Sequence, residues 1–199
     1  MKKTMVALLC LVTCCVPLCV QVIKIENGMT LSSMTRNEYD FFTHAAAGYT
    51  GRVGVEWLEH RWFYLSSEVG YMATSGMDHI GIATEHGIDE NAIDWHYRRD
   101  NLHFNTTFRF KLAYHDFHAY LGVGPKVDIP LGSSLNEELF DKSVMFGIKT
   151  EIGCAYDFSH LRLGINLAYL PDLTKQAVPV LQQARNNIFS IGISVGYIL

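Results

Sequence analysis

Residues 189–199, at the end of the chain, read Phe-Ser-Ile-Gly-Ile-Ser-Val-Gly-Tyr-Ile-Leu, and their alternation decides the fold class. A large apolar residue stands at every odd position from Phe189 to Leu199, and Ser or Gly stands at all but one of the even positions. A period of two is typical of a β-strand with one apolar face, whereas an amphipathic helix repeats its apolar residues every 3.6 positions. The stretch is therefore predicted to be a long β-strand.

Seven upstream segments show the same alternation. Each has about 10–14 residues, which is long for a strand of a globular protein but right for a tilted strand that crosses a bilayer. Together with the last strand they make eight, an even number, as in single-chain bacterial outer-membrane barrels. The seven segments are 22–32, 48–58, 62–73, 101–113, 117–129, 143–156 and 160–169.

The connections between these segments alternate in length. Tight turns are predicted around Glu59–Arg61, His115–Asp116 and Asp157–Ser159, and long loops at 33–47, 74–100, 130–142 and 170–187. Short turns on the periplasmic side and long loops outside are typical of outer-membrane barrels. We therefore predict an all-β fold, an eight-stranded antiparallel up-and-down transmembrane β-barrel. Pro125 cannot donate a ladder hydrogen bond, so a bulge is expected at Gly124–Pro125.

The two faces of the predicted strands differ in charge. The apolar face carries no charged residue, and aromatic residues lie near both of its ends, as in membrane-interface girdles. The other face holds Gly, Ala and Ser, which suit a narrow lumen. It also holds every charged strand residue: Lys24, Glu26, Arg52, Glu56, Glu68, Arg109, Lys111, Lys126, Asp128, Lys149, Glu151 and Arg162. A soluble, lipocalin-like ligand-binding barrel would place the charges outside, and it remains an alternative.

Charges inside a narrow lumen are expected to pair across strands, because an unpaired buried charge costs several kcal/mol. We expect this network to be structural and to plug the lumen; an ion path along the basic residues is the alternative. No catalytic residue, cofactor or metal ligand is expected. The predicted lumenal network consists of Arg52, Glu56, Glu68, Arg109, Lys111, Lys126, Lys149, Glu151 and Arg162.

The beginning of the chain is typical of a secretory signal. Lys2 and Lys3 precede an uncharged and mostly apolar run, residues 5–20, which is short for a transmembrane helix. We predict a cleaved signal peptide at 1–21, with cleavage after Cys19 or after Gln21, and a barrel domain at 22–199. Cleavage leaves Cys154 as the single cysteine. A net charge of −4 leaves no electrostatic basis for binding nucleic acid.

Three stretches resemble the PorT-like outer-membrane β-barrel family of Gram-negative bacteria. They are the opening strand at 23–33, the segment Leu-Gly-Val-Gly-Pro-Lys-Val at 121–127, and the closing strand at 190–199. The resemblance covers nearly the whole mature chain and implies a small barrel in the outer membrane. The resemblance implies no catalytic residues and at most an accessory role in secretion.

The expected function is structural or interactive rather than enzymatic. Outer-membrane lipid and lipopolysaccharide are the expected surroundings, and the acidic loop 74–100 is the expected place for contact with a protein partner. A lipid-modifying outer-membrane enzyme is the main alternative, because a serine activated by a histidine at the rim could attack an ester. Its candidate residues are Ser66, Ser75, His96 and His103.

Overall fold

Eight antiparallel strands close into one barrel in chain order in the computed structural model. The structure describes residues 20–35, 44–84, 87–134, 143–174 and 185–199, and within these ranges no helix is long and apolar enough to cross a membrane. The predicted fold class is confirmed. The strands are β1 (Val20–Thr35), β2 (His44–Trp57), β3 (Phe63–Thr84), β4 (Gly87–Tyr114), β5 (Phe117–Ser133), β6 (Met145–Phe158), β7 (Leu161–Tyr169) and β8 (Arg185–Ile198).

The first and last strands complete the closure. β1 pairs with β8 without a register shift, from Val22 opposite Ile198 to Thr35 opposite Arg185. Closure leaves no unpaired sheet edge, which is the condition for placing strands in hydrocarbon. The closing strand of the sequence thus lies where the barrel seals on itself.

The hairpin of β3 and β4 extends well beyond the neighbouring strands, so the prediction of a 74–100 loop was wrong. The two strands pair from Thr74 opposite Arg99 to Thr84 opposite Gly87, with a register shift between Ile80 and Ile82. Adjacent antiparallel strands that leave a barrel together can continue their hydrogen-bond ladder whatever their side chains are. The acidic composition that indicated a solvated loop therefore does not prevent a β-hairpin.

The predicted bulge at Gly124–Pro125 was also wrong. Asn105 pairs with Lys126, and Phe108 pairs with Val123, so the register of β4 against β5 is the same on both sides of the proline. The ladder is only interrupted there, and a register shift comes later, between Asp100 and Asn101. A proline in a closed barrel can thus be accommodated by the loss of local pairing alone.

Three tight turns join the strands at one end of the barrel, called here the turn end. His115–Asp116 joins β4 to β5 as predicted, whereas the turn predicted at Asp157–Ser159 lies at Ser159–His160. Leu58, His115 and Ser159 have φ values of 53° to 54°, a left-handed conformation that reverses the chain sharply. The opposite end is called here the loop end.

The chain continues in the β7 register beyond the last residue of that strand. The Leu170 amide donates to the Ile188 carbonyl at 2.8 Å, and Asp172 forms a bridge with Gly147. Pro171 interrupts the regular strand but leaves the alternation intact. Residues 170–174 therefore extend the wall of the barrel, although the sequence predicted a loop beginning at 170.

Candidate functional site: the charged lumen

The charged face of the strands points into the barrel. Lys149 and Arg109 are at most 1% exposed, whereas Ile193 and Leu121 on the other face are more than 60% exposed. This is the orientation predicted for a membrane barrel. The lipocalin-like alternative required the reverse orientation, and the structure does not have it.

Glu68, in the turn-end half of β3, is the hub of the lumenal charges. One carboxylate oxygen lies 2.5 Å from Lys24 Nζ and 3.2 Å from Arg109 Nη2. The other lies 2.8 Å from Lys149 Nζ and 3.4 Å from Arg52 Nη1. A single buried carboxylate thus faces four cations that come from four other strands.

Two further glutamates share these cations. Arg109 lies between them, 2.6 Å from Glu151 through Nε and 3.1 Å from Glu56 through Nη1. Lys149 also lies 3.1 Å from Glu151, and Arg162 lies 2.6 Å from the other oxygen of Glu56. Each cation therefore bridges carboxylates of different strands, and the network ties the barrel together across its interior.

The network continues to the turn end. Arg162 donates to both carboxylate oxygens of Asp157, at 2.7 Å and 2.9 Å. Lys111 is paired with Glu59, which also lies 3.5 Å from Arg162, so Lys111 contacts the turn-end part of the network. Burial by itself would raise the pKa of the Glu59 carboxyl, but the hydrogen bond from Lys111 and the charge of Arg162 outweigh it and hold that pKa below its usual value.

A second group of charges lies on β4, β5 and the extension of β7. Lys126 is 2.6 Å from Asp128 and 2.5 Å from Asp172, and all three side chains are buried. His103 Nδ1 lies 2.5 Å from the other oxygen of Asp128. Lys126 therefore pairs with these two aspartates and not directly with Glu68.

Asn105 connects the two groups of charges through its side-chain amide. Its amide nitrogen is 3.0 Å from Glu68 and 2.9 Å from His103 Nε2, and its oxygen faces Lys149 at 3.4 Å. His103 is thus held between Asp128 at Nδ1 and Asn105 at Nε2. The lumenal charges thus form one hydrogen-bonded system.

Aromatic and apolar side chains pack among these charges. Toward the turn end, Tyr120 and Tyr64 flank Arg109, whose guanidinium carbon is 4.5 Å and 5.7 Å from their ring centroids. Toward the loop end, a buried apolar cluster lies across the lumen; it is called here the apolar layer. It consists of Met72, Ala168, Leu170 and Ile188.

Sequence reasoning missed several members of the site. Asp172 fell in a predicted loop, although it continues the even-numbered inward positions of β7 and could have been found by extending that alternation. Arg99 also fell in a predicted loop, yet it is 1% exposed, with Met145 Sδ 3.4 Å and the Ser143 carbonyl oxygen 3.3 Å from its guanidinium. Asp157 and Glu59 lie at strand ends, where alternation is a weak signal.

The residues proposed for a lipid-modifying enzyme are spread over different surroundings. Ser66 Oγ is 3.3 Å from Glu68 in the buried hub, and His103 is held by Asp128 and Asn105. His96 is exposed and lies opposite Met77 in the long hairpin. The side chains that the structure describes thus do not bring Ser66 together with His103 or His96.

Solved structures of outer-membrane barrels are similar to this chain. Neisserial surface protein A is 11% identical, with a TM-score of 0.50 over 87% of this chain and 96% of its own. Outer membrane protein AlkL, solved in lipid bilayers, is 12% identical, with a TM-score of 0.54 over 90% of each chain. The outer-membrane enzyme PagL is 13% identical, covers 87% of this chain and 99% of its own, and has a TM-score of only 0.39.

No family model and no curated protein sequence matches the chain. The predicted membership of the PorT-like family therefore stays a prediction. At these identities the likeness concerns architecture alone. The closed eight-stranded barrel with its buried ion pairs has the fold of the small outer-membrane β-barrels.

Proposed function

We propose that this chain is an integral protein of the bacterial outer membrane, closed in its lumen and interactive at its loop end. The observation that carries the proposal is the inversion of its two faces, with ion pairs inside and aliphatic side chains outside. An outer surface of this kind would associate or aggregate in water, whereas in a bilayer it faces lipid tails.

The lumenal charges are proposed to stabilise the barrel rather than to catalyse a reaction or conduct ions. The residues linked to the Glu68 hub by ion pairs are electrically balanced, with six cations and six anions. Balance matters because a buried charge without a partner costs several kcal/mol. These residues are Lys24, Arg52, Arg109, Lys111, Lys149 and Arg162, and Glu26, Glu56, Glu59, Glu68, Glu151 and Asp157.

The interactive part is proposed to be the long β3–β4 hairpin at 74–100. It extends the barrel at the end opposite the tight turns, which places it on the outer side if the turns face the periplasm. Its acidic side chains would meet lipopolysaccharide through bridging cations or would meet a protein partner. A role accessory to secretion rests only on the resemblance to PorT-like proteins.

Export by a cleaved signal is part of the same proposal. The two predicted cleavage positions differ in whether Gln21 remains, and the Gln21 carbonyl oxygen accepts from the Leu199 amide at 2.9 Å. Its side-chain oxygen accepts from the Glu59 amide at 2.8 Å. These two contacts favour cleavage after Cys19, because cleavage after Gln21 would remove both.

The test is to express the full chain in a Gram-negative host, separate the membranes, and run the outer-membrane fraction on gels with and without boiling. A closed barrel is expected in that fraction and is expected to shift its mobility on boiling. The intact mass of the extracted protein gives the cleavage position. Recovery in the soluble periplasmic fraction with no boiling-dependent shift would overturn the proposal.

A further inference from the structure

Two rows of outward side chains cross β1, β8, β7, β6 and β5 in register and form the walls of one groove, called here the outer groove. In the row nearer the turn end, the directly opposed residues are, in that order of strands, Met29, Ile191, Leu167, Ile152 and Leu121. In the row nearer the loop end they are Leu31, Phe189, Tyr169, Thr150 and Val123. The groove therefore runs obliquely over the membrane-facing surface.

The floor of the outer groove is backbone. The row between the two walls consists of inward residues, whose side chains point into the lumen: Ser190, Ala168, Glu151 and Gly122. The groove encloses about 790 Å³, a volume typical of sites that bind small molecules. The Thr150 hydroxyl in its wall donates to the Tyr169 carbonyl oxygen at 3.3 Å. The groove thus presents a long apolar surface.

The dimensions of the outer groove select a flexible alkyl chain. Its walls are two residues apart along each strand, about 6.6 Å, and its length over four strand spacings is about 19 Å. An α-helix is straight and about 10–12 Å wide with its side chains, so it does not fit a narrow groove that follows the curve of a barrel. A second copy of this closed barrel has no unpaired strand edge to insert. A single acyl chain fits both the width and the curvature.

The outer groove lies in the loop-end half of the barrel. On β8 its walls are Phe189 and Ile191, whereas Tyr197 lies at the turn end of that strand. On β1 its walls are Met29 and Leu31, in the second half of a strand that begins at the turn end. Short turns face the periplasm in outer-membrane barrels, so this half would lie in the outer leaflet, whose lipid is lipopolysaccharide.

Polar side chains continue from the outer groove toward the loop end. Tyr169 Oη donates to Asn187 Oδ1 at 3.1 Å. Arg185, the next outward residue of β8, is exposed, and the neutral Thr35 lies opposite it on β1. The distance along β8 from the wall at Phe189 to Arg185 is four residues, about 13 Å. An anionic headgroup whose acyl chain occupied the groove would therefore meet the Arg185 guanidinium.

A second groove crosses β1 to β5 on the other side of the barrel and provides a comparison. It encloses about 560 Å³, and its wall contains the hydroxyls of Ser67 and Thr106, which lie 3.0 Å apart. Pro125, in the same wall, interrupts the ladder between β4 and β5. The second groove is therefore smaller and more polar, and it suits an alkyl chain less well.

We propose that the outer groove binds one acyl chain of lipopolysaccharide, with the anionic headgroup near Arg185. This inference rests on the proposed outer-membrane role and deepens it, because it names the lipid and the residues that hold it. Elsewhere on the outer face, lipid tails make contact without occupying a defined position.

The position of the chain is tested by photolabelling in vesicles of phosphatidylethanolamine. The probes are phosphatidylglycerols with a diazirine in one acyl chain, mixed so that the diazirine lies at several depths. Leu167 and Ile191 should be labelled severalfold more than Leu163 and Val195, an opposed pair of the same strands outside the groove. Equal labelling of the two pairs, located by mass spectrometry, would overturn the groove.

The identity of the lipid is tested by competition against this label. Unlabelled lipopolysaccharide should reduce the labelling of Leu167 and Ile191 severalfold more than the same amount of unlabelled phosphatidylglycerol. Arg185→Gln should weaken the competition by lipopolysaccharide severalfold. The matched control is Arg98→Gln, because Arg98 is also exposed but is paired with Asp100 at 3.0 Å. Equal competition by the two lipids, or equal effects of the two variants, would overturn lipopolysaccharide as the occupant.

The shape of the groove is tested by filling it. Val123→Trp places an indole in the wall, and Val195→Trp is the matched control because both valines face outward and are similarly exposed, 46% and 48%. The labelling of Leu167 should fall severalfold in Val123→Trp only. An equal effect of the two variants would overturn the groove. A dimer in the vesicles with Leu167 at its interface would overturn the lipid as the occupant.

Folding of each variant is checked first by its boiling-dependent shift on a gel. If Val123→Trp does not fold, Thr150→Trp in the same wall replaces it, with the same expected direction. These outcomes are separable from the outer-membrane proposal, because a correctly localised, heat-shifting barrel with uniform labelling refutes only the groove.

Discussion

The inner and outer faces of the same strands carry opposite kinds of side chain: charged residues point inward and apolar residues point outward. On β3, Glu68 points inward to four cations, while its neighbours Ser67 and Val69 point outward. On the outer face polar contacts are few, and one example is the 3.0 Å contact between the hydroxyls of Ser67 and Thr106. The effect of a substitution should therefore depend first on whether its position points inward or outward.

Removing the hub carboxylate should have the largest effect. Glu68→Gln leaves Lys24, Lys149, Arg109 and Arg52 around a neutral amide, and breaking buried ion pairs in this way costs about 3–5 kcal/mol. The free energy of unfolding is measured by urea titration in lipid vesicles, followed by tryptophan fluorescence.

The control for this change is Glu59→Gln at the turn end, which keeps the chemistry of the substitution but lies in a partly exposed pair. Similar losses for the two variants would contradict the central role of Glu68.

A charge placed on the outer face should have the next largest effect. Ile165→Arg, at the central residue of β7, puts a guanidinium into hydrocarbon, at a cost of about 2–4 kcal/mol near the middle of a bilayer. Leu112→Arg, close to the turn end of β4, should cost about 0–1 kcal/mol because the headgroup region is near. Both are measured by the same unfolding titration.

Arg98→Ala is the control for that pair of variants and is expected to have no effect on stability. The Arg98 side chain is exposed on the long hairpin and bonds only neighbouring exposed groups among the described residues, so Arg98→Ala should leave the titration unchanged. If Ile165→Arg proved as harmless as Arg98→Ala, the assignment of the faces would fail.

A small but measurable effect is expected at the turn end, where charged pairs are only partly buried. Lys111→Met removes a partner that depresses the pKa of Glu59, and partly exposed pairs contribute about 0.2–1 kcal/mol. A carboxyl with a depressed pKa stabilises the fold above its unfolded pKa, about 4.3, and loses that contribution as the pH falls through its folded pKa.

The difference in unfolding free energy between wild type and Lys111→Met should therefore be present at neutral pH and fade below about pH 4.3. It is measured by repeating the titration of both proteins at stepped pH values. A difference that grew on acidification would show that Glu59 is not stabilised as a carboxylate.

The architecture was predictable because alternation is a local property. The alternation of Phe189 and Ile191 with Ser190 and Gly192 is visible in the sequence. It determines which side chains of β8 face inward when β8 pairs with β1. The ends of β3 and β4 were not predictable in the same way. Their extension depends on two strands meeting, and acidic residues in that stretch indicated a loop.

The charged lumen was predictable as a set of residues but not as a set of partners. The sequence places Lys126 and Lys149 on the same face, yet Lys149 joins the Glu68 hub while Lys126 turns to Asp128 and Asp172. Strand tilt and register decide which residues share a level of the barrel, and no single strand contains that information.

The sequence by itself determined the number of strands, the face of each residue and the presence of opposite charges on one face, because these follow from a period of two along each strand. Only the tertiary structure decided that Glu68 meets four cations, that Lys126 pairs with Asp128 and Asp172, and that β3 and β4 extend as a hairpin. These depend on how eight strands meet around a closed ring, where residues distant in sequence come within hydrogen-bond distance.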